Sequence, residues 1–226
     1  MAEVADSLQI VVDCIAEAAL KSGRKATDIE LVAVSKKQDA ERIRAAFEAG
    51  QKLFGESRVQ EARAKIPLLP GAARWHFIGR LQKNKIRHAL PLFELFHSVD
   101  SVELAQEMNR IAGDDGMRPR VLLELNVAGE GSKIGFSPEE ARRHLETILS
   151  LDRLTVEGLM TIPPLAPDVE ASRKFFIALR ELRDEFEKGC GVGLPQLSMG
   201  MSNDYAVAVE EGATLVRVGT AIFGER

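Results

Sequence analysis

From Leu31 onward, short apolar runs alternate with longer segments of helical period, and this alternation constrains the fold more than any other feature. The runs cover residues 31–34, 52–54, 75–78, 95–99, 121–127, 155–160, 196–199 and 214–218. Most are apolar on successive residues, as strands are when both faces are buried. Between them, 40–49, 58–64, 82–89, 102–112, 138–149, 169–188 and 204–211 carry apolar residues at spacings of three and four. Ile43, Ala46 and Phe47 show the pattern, as do Phe175, Phe176, Leu179, Leu182 and Phe186.

Eight strands alternating with helices predict a single (β/α)8 TIM-type barrel, with residues 1–226 as one domain. A doubly wound open sheet is the alternative that periodicity leaves open. The closed form is favoured by a helix pattern at 8–21, ahead of the first strand, and by the short tail after the last. A ring has a gap between its last and first strands that an extra N-terminal helix can cover. Ser137-Pro138-Glu139-Glu140 and Asp100-Ser101 mark helix starts, and Gly50 and Gly189 are expected at helix ends. The proline-rich segment 163–167 reads as a loop at the barrel mouth.

The formal net charge of -4 argues against nucleic-acid binding through bulk charge, while leaving room for a local anion site. Cys14 and Cys190 form neither a disulfide framework nor a zinc spacing, and no other cluster has metal-ligand spacing. No basic and apolar leader opens the chain, and no run has the length of a membrane span. The expectation is a cytoplasmic protein without metal.

Lys36 ends the first apolar run where a helix takes over. In a barrel that position is the reactive mouth, and an amine there can serve as an imine-forming nucleophile. By itself it reads more readily as a solvated lysine closing a strand. The last run leaves through Arg217-Val218-Gly219-Thr220, and the seventh through Ser198-Met199-Gly200-Met201-Ser202-Asn203-Asp204. Loops after the seventh and eighth strands commonly hold phosphate in barrels, with glycine allowing close approach and hydroxyls donating. Two ordinary turns would use the same residues. Arg217 interrupts an apolar strand, so it either pairs with a carboxylate such as Glu124 or Glu157 or donates into the mouth. His76 reads as a core histidine.

The segments 31–36 (LVAVSK), 54–56 (FGE), 76–79 (HFIG) with Leu81-Gln82 and Asn84-Lys85, 158–161 (GLMT), 198–204 (SMGMSND) and 216–224 (VRVGTAIFG) follow one another in the order seen in the pyridoxal phosphate homeostasis proteins of the YggS/PROSC type. The chain resembles that family across nearly its whole length. The resemblance implies a barrel like the N-terminal domain of alanine racemase and of fold-type III pyridoxal 5'-phosphate (PLP) enzymes. It implies PLP as cofactor, an internal aldimine on Lys36, contacts from Met201, Ser202, Gly219 and Thr220, and Arg217 at the pyridine nitrogen. Lys37 follows directly, but adjacent strand residues point to opposite faces, so one lysine of the pair reaches the cofactor. Ser57 stands where the family commonly has asparagine.

An arginine beside the ring nitrogen has no acceptor, so it favours the unprotonated ring and a weaker electron sink. The implied role is intracellular PLP homeostasis, with PLP-dependent apoenzymes as possible recipients and no catalytic residue assigned. Two alternatives remain open at this point. One is a small PLP-dependent racemase or decarboxylase, with Tyr205 or His76 as base. The other is a cofactor-free imine-forming aldolase.

Overall fold

The computed structural model describes residues 2–129, 134–164 and 168–225. Its strands are β1 (Glu30–Val34), β2 (Leu53–Glu56), β3 (Arg74–Phe77), β4 (Leu95–Val99), β5 (Arg120–Glu124), β6 (Thr155–Met160), β7 (Gln196–Ser198) and β8 (Leu215–Val218). Each pairs in parallel with the next, and β8 returns to β1 through Leu31↔Val216 and Val32↔Arg217, closing the barrel. The open-sheet alternative is thereby excluded.

Period-two geometry splits the strands between two sides of the wall. Val32, Leu53, Leu95, Leu122, Met160 and Leu215 point inward and pack as the barrel interior. Their neighbours Ala33, Phe54, Phe96, Leu123, Leu159 and Val216 point outward into a larger core beneath the helices. The runs look uniformly apolar because both directions are dry.

The helices are α1 (Ala2–Lys21), α2 (Ala40–Glu48), α3 (Val59–Lys65), α4 (Ile86–Ala89), α5 (Val102–Asp114), α6 (Pro138–Leu149), α7 (Arg173–Cys190), α8 (Tyr205–Glu210) and α9 (Thr220–Phe223). As expected, α1 covers the closure: it packs against α8, α9 and α2. Ser137 caps α6 in a reciprocal box with Glu140, and Ser101 caps α5 by accepting from Leu104 N.

Four expectations shift. The fifth strand ends at Glu124 rather than 127, because the Phe136 N–H takes the Glu124 carbonyl and the Phe136 carbonyl takes the Asn126 N–H. The helix expected at 82–89 is a 3-10 turn, Lys83–Lys85, running into α4. A 3-10 turn, Val169–Ser172, likewise opens the helix expected at 169–188. Gly189 lies inside α7; the left-handed residue that ends the helix is Gly191, at φ 64°. The proline-rich segment is described only as far as Pro164; residues 165–167 lie outside the described residues.

Gly158 in β6 shows how tightly the wall is built. A Cβ there would lie 1.8 Å from the Gln196 carbonyl oxygen of β7. Backbone on both sides cannot yield, so Gly158→Ala should cost about 3 kcal/mol, a Tm drop on the order of 6–12 °C. Gly189→Ala, with open space around it, should instead stabilise by about 0.5–1 kcal/mol. Thermal melts of the two variants check both, and equal Tm values would refute the packing argument.

Candidate functional site

The inward parity of β1 continues past the strand: Val32 is interior, and Val34 and Lys36 line a cavity of about 460 Å³ at the C-terminal mouth. That volume suits a small organic ligand. Met201, Ser202, Arg217, Gly219 and Thr220 line the same cavity, so it gathers all six residues singled out in the sequence. Ile78, Ile162, Pro163 and Pro164 supply apolar wall. Lys36 is half-buried and Lys37 exposed, at φ 61°.

That left-handed Lys37 is unusual for a residue with a Cβ, and its neighbours hold it. Its N–H donates to Glu61 Oε1 of α3. Lys65 Nζ donates to the Ser35 carbonyl at 2.8 Å, to Glu56 Oε1 at 3.0 Å and to Glu61 Oε1 at 2.5 Å. Ser35 Oγ donates to the same Glu56 oxygen at 2.7 Å. The clamp lies on the outer face of the wall, with Ser35 and Glu56 wholly buried, and fixes the residues on both sides of Lys36. Burial raises the Glu56 carboxyl above its usual range, opposed by Ser35 and Lys65. Burial pushes Glu61 the same way, but the Lys65 and Lys37 hydrogen bonds outweigh it and hold that carboxyl low.

Opposite Lys36 the loops present small neutral donors. Ser202 Oγ accepts from Gly219 N at 3.2 Å and Ala221 N at 3.3 Å, so a hydroxyl and two backbone N–H groups converge beside Thr220. A side chain at Gly219 would be tight: its Cβ would sit 3.2 Å from Val34 Cβ. Asp204 Oδ1 braces the loop by accepting from Met201 N at 2.8 Å.

Arg217 is 4% exposed. It donates to the Thr161 carbonyl at 2.9 Å and to Ser198 Oγ. Burial pushes the guanidinium down to about 10, countered by Glu124 and Asp204, and it stays charged at neutral pH. The carboxylate partner foreseen in Glu157 is taken by Arg120, at 2.6 Å. Glu124 acts on Arg217 through its charge, without an ion pair among the described residues. From Ser198 the chain of contacts continues to His97 Nδ1 at 2.8 Å, and from His97 Nε2 to His76 Nδ1 at 3.0 Å. Arginine only donates, so Ser198 Oγ accepts from Arg217 and still has a proton and a second lone pair to offer His97. His76 Nε2 is buried and has no partner among the described residues.

The family model for the alanine racemase N-terminal domain matches residues 10–226. The pyridoxal phosphate homeostasis protein of Aquifex aeolicus is 44% identical over 98% of this chain and 97% of its own. The chain belongs to the pyridoxal phosphate homeostasis protein family. PipY of Synechococcus elongatus PCC7942, solved with PLP bound, is 40% identical, with a TM-score of 0.82 over 93% of this chain and 100% of that one. Alanine racemase of Clostridium difficile 630, at 19% identity, shares the fold with a TM-score of 0.76 over 98% of this chain and 60% of that one.

Neither base considered for an enzyme reaches the cavity. The Tyr205 phenol is raised by burial and by the adjacent Cys14 thiol of α1, so it faces the outer helices. His76 sits inside the barrel, below the mouth. Sequence reasoning missed Glu56, Lys65, Thr161, Ser198 and His97 as supports. His97 carried a signal, a polar residue within the apolar run of β4. Lys65 carried none, since a lysine in the last turn of a helix reads as solvated. Among the described residues no group of three or more His, Cys, Asp or Glu side chains could hold a metal, and no helix is long and apolar enough to cross a membrane.

Burial, with Arg74 and Arg120 adding, pushes His76 down to about 3. A base with a lowered folded pKa binds fewer protons folded than unfolded between that value and about 6.5, so its contribution is lost as pH falls. Glu124, raised to about 7 by burial and then by Asp100, has the opposite sign: its contribution is lost as pH rises. Replacing His76 isolates its share. The drop in unfolding free energy from pH 7 to 4.5, by urea titration, should shrink by roughly 2–3 kcal/mol in His76→Leu. An unchanged drop would show that His76 titrates normally.

Proposed function

We propose that this chain binds pyridoxal 5'-phosphate in the Lys36 cavity and serves PLP homeostasis by holding the cofactor, with PLP-dependent apoenzymes as recipients. The same reading takes residues 1–226 as one binding domain. The observation that carries it is the convergence of Lys36, Arg217 and the Ser202, Gly219 and Thr220 donors on one cavity, in a family whose member PipY has been solved with PLP bound. The donor set fits the group. Neutral hydroxyls and backbone N–H groups suit a phosphate, and the crowded Gly219 leaves backbone where a side chain would block approach.

When bound, PLP supplies an aldehyde that condenses reversibly with an amine and a ring that withdraws electrons. Lys36 offers the amine, held by the clamp on the residues beside it. Ser202 and Thr220 would hold the phosphate end. Arg217 would donate toward the ring nitrogen, which disfavours its protonation and would weaken the ring as an electron sink. Ile78 and Ile162 exclude water from one side of the cavity. Asp204 is the one carboxylate among the lining residues, and it is engaged by the Met201 N–H. That inventory supports holding rather than turnover.

Borohydride reduction of the PLP-treated protein, followed by peptide mass mapping, should place the phosphopyridoxyl group on Lys36. Its recovery on Lys37 alone would sink the assignment. A visible spectrum separates this reading from a cofactor-free aldolase, whose lysine gives no such absorption.

Removing one charge-assisted hydrogen bond costs roughly 1.5–3 kcal/mol, so Thr220→Ala should weaken PLP retention by about one to two orders of magnitude. Pyridoxal should bind more weakly than PLP to the unsubstituted protein; equal affinity would reject a phosphate site. Exchange of the alpha-proton of alanine or serine into deuterated water at ordinary enzymatic rates, abolished by Lys36→Ala, would replace holding by catalysis.

A further inference from the structure

We propose that a second cleft on the barrel mouth, between the exits of β2 and β3, binds a small phosphorylated molecule independently of the Lys36 cavity. The cleft has a volume of about 360 Å³. Arg58, Arg80 and Lys85 line it, with the amide side chains of Gln60 and Gln82, and Phe77 adds apolar surface. No carboxylate is among the lining residues. Three cations gather here although the whole chain carries a net charge of -4.

Their charge is largely uncommitted. Arg80 makes one loose pair, 3.5 Å from Asp100 Oδ2, with its side chain mostly in solvent. Arg58 and Lys85 form no ion pair among the described residues. The carboxylate whose charge Arg58 feels is Glu61, already engaged by Lys65 and the Lys37 N–H. Elsewhere Arg74, Arg120, Arg142 and Arg173 are bound to carboxylates at hydrogen-bond distance. Cations that converge on a concave surface without counter-charge raise the local concentration of anions. Guanidinium forks in particular match the oxygen geometry of phosphate.

The base of the cleft is rigid. A Cβ on Gly79 would lie 2.4 Å from the Ser57 carbonyl oxygen and 2.7 Å from Ser57 Cα, so the two exits are pressed together backbone to backbone. Arg58 and Arg80 follow directly from these locked residues. The C-terminal ends of the strands are also where barrels of this class bind ligands. Adjacent residues of the β3 exit divide the two cavities: Ile78 lines the one with Lys36, and Gly79 lines this one. Mixed lining selects the ligand class. The cations and amides take a phosphate group, and the apolar surface of Val59, Phe77 and Leu81 takes a compact ring or chain.

Calorimetric titration with phenyl phosphate, and separately with inorganic phosphate, tests the site in three proteins: unsubstituted, Thr220→Ala, and Arg58→Gln/Lys85→Gln. Both of the last two positions face solvent or are half-buried, and circular dichroism and the melting curve should be unchanged by their substitution. Phenyl phosphate should bind saturably to Thr220→Ala, and at least ten-fold more weakly to Arg58→Gln/Lys85→Gln at that site. Inorganic phosphate should bind more weakly than phenyl phosphate, and tighter binding of the free ion would reject the apolar part of the site. Restoring charge with Arg58→Lys/Lys85→Arg should recover binding. No saturable binding to Thr220→Ala, or binding indifferent to the Arg58→Gln/Lys85→Gln change, would overturn the proposal. Failure of the Lys36-cavity reading is distinguishable, since it would appear as indifference to Thr220→Ala while the Arg58-dependent binding persisted.

Discussion

The chemistry of this molecule depends on how the chain leaves β1. Lys36 can face the cavity only if Ser35 and Lys37 face elsewhere, and a left-handed Lys37 does not hold itself. The Glu56, Glu61 and Lys65 cluster provides the hold, from behind the wall. Its stability rests on completeness. A buried carboxylate with a cation and a serine hydroxyl is tolerable, whereas the same carboxylate with a partner removed is an orphaned charge costing several kcal/mol. Glu56 already keeps one oxygen unpartnered, so little is left to lose.

Inside the wall a second constraint governs. The lower interior is Val32, Leu53, Leu95, Leu122 and Leu215, while the polar groups His76, His97, Ser198 and Arg217 are linked to one another above or beside it. Arg217 donates into Ser198, and the two histidines extend the chain across the interior. A neutral, directional network lets the barrel bury a guanidinium without a salt bridge. The remaining cost appears at the far end, in the unpartnered Nε2 of His76.

How much of this was legible follows from where each contact lies in the chain. Barrel closure could be read because strand burial on two faces leaves a local apolar run, and because a helix ahead of the first strand has a place only in a ring. Lys36 and Arg217 could be read as charged residues at the end of, or within, such runs. The Ser35–Glu56–Lys65 contacts join three elements and leave no periodic trace. The same holds for Arg58, Arg80 and Lys85, which meet only because Gly79 and Ser57 touch. In 189–193, three glycines alternate with Cys190 and Val192, and propensity cannot say which one ends α7; the positive φ of Gly191 decides. The fifth strand was read too long for a related reason. Leu125 is as apolar as its neighbours, and what stops the strand is a returning loop at Phe136.

The two faces of the wall therefore divide the work. Outward residues fix backbone, and inward residues meet ligand, so a change in one set is felt by the other through strand direction alone. Ser35 and Lys36 illustrate it: adjacent in sequence, one is sealed against Glu56 and the other opens to the cavity. A barrel that holds a cofactor needs that rigidity more than it needs a base. The loops after β6 to β8 supply most of the lining that faces Lys36. Those positions are occupied by Ile162, Pro163, Met201 and the donors around Ser202. The lining is arranged to grip and to exclude water, with its one carboxylate turned to the Met201 N–H.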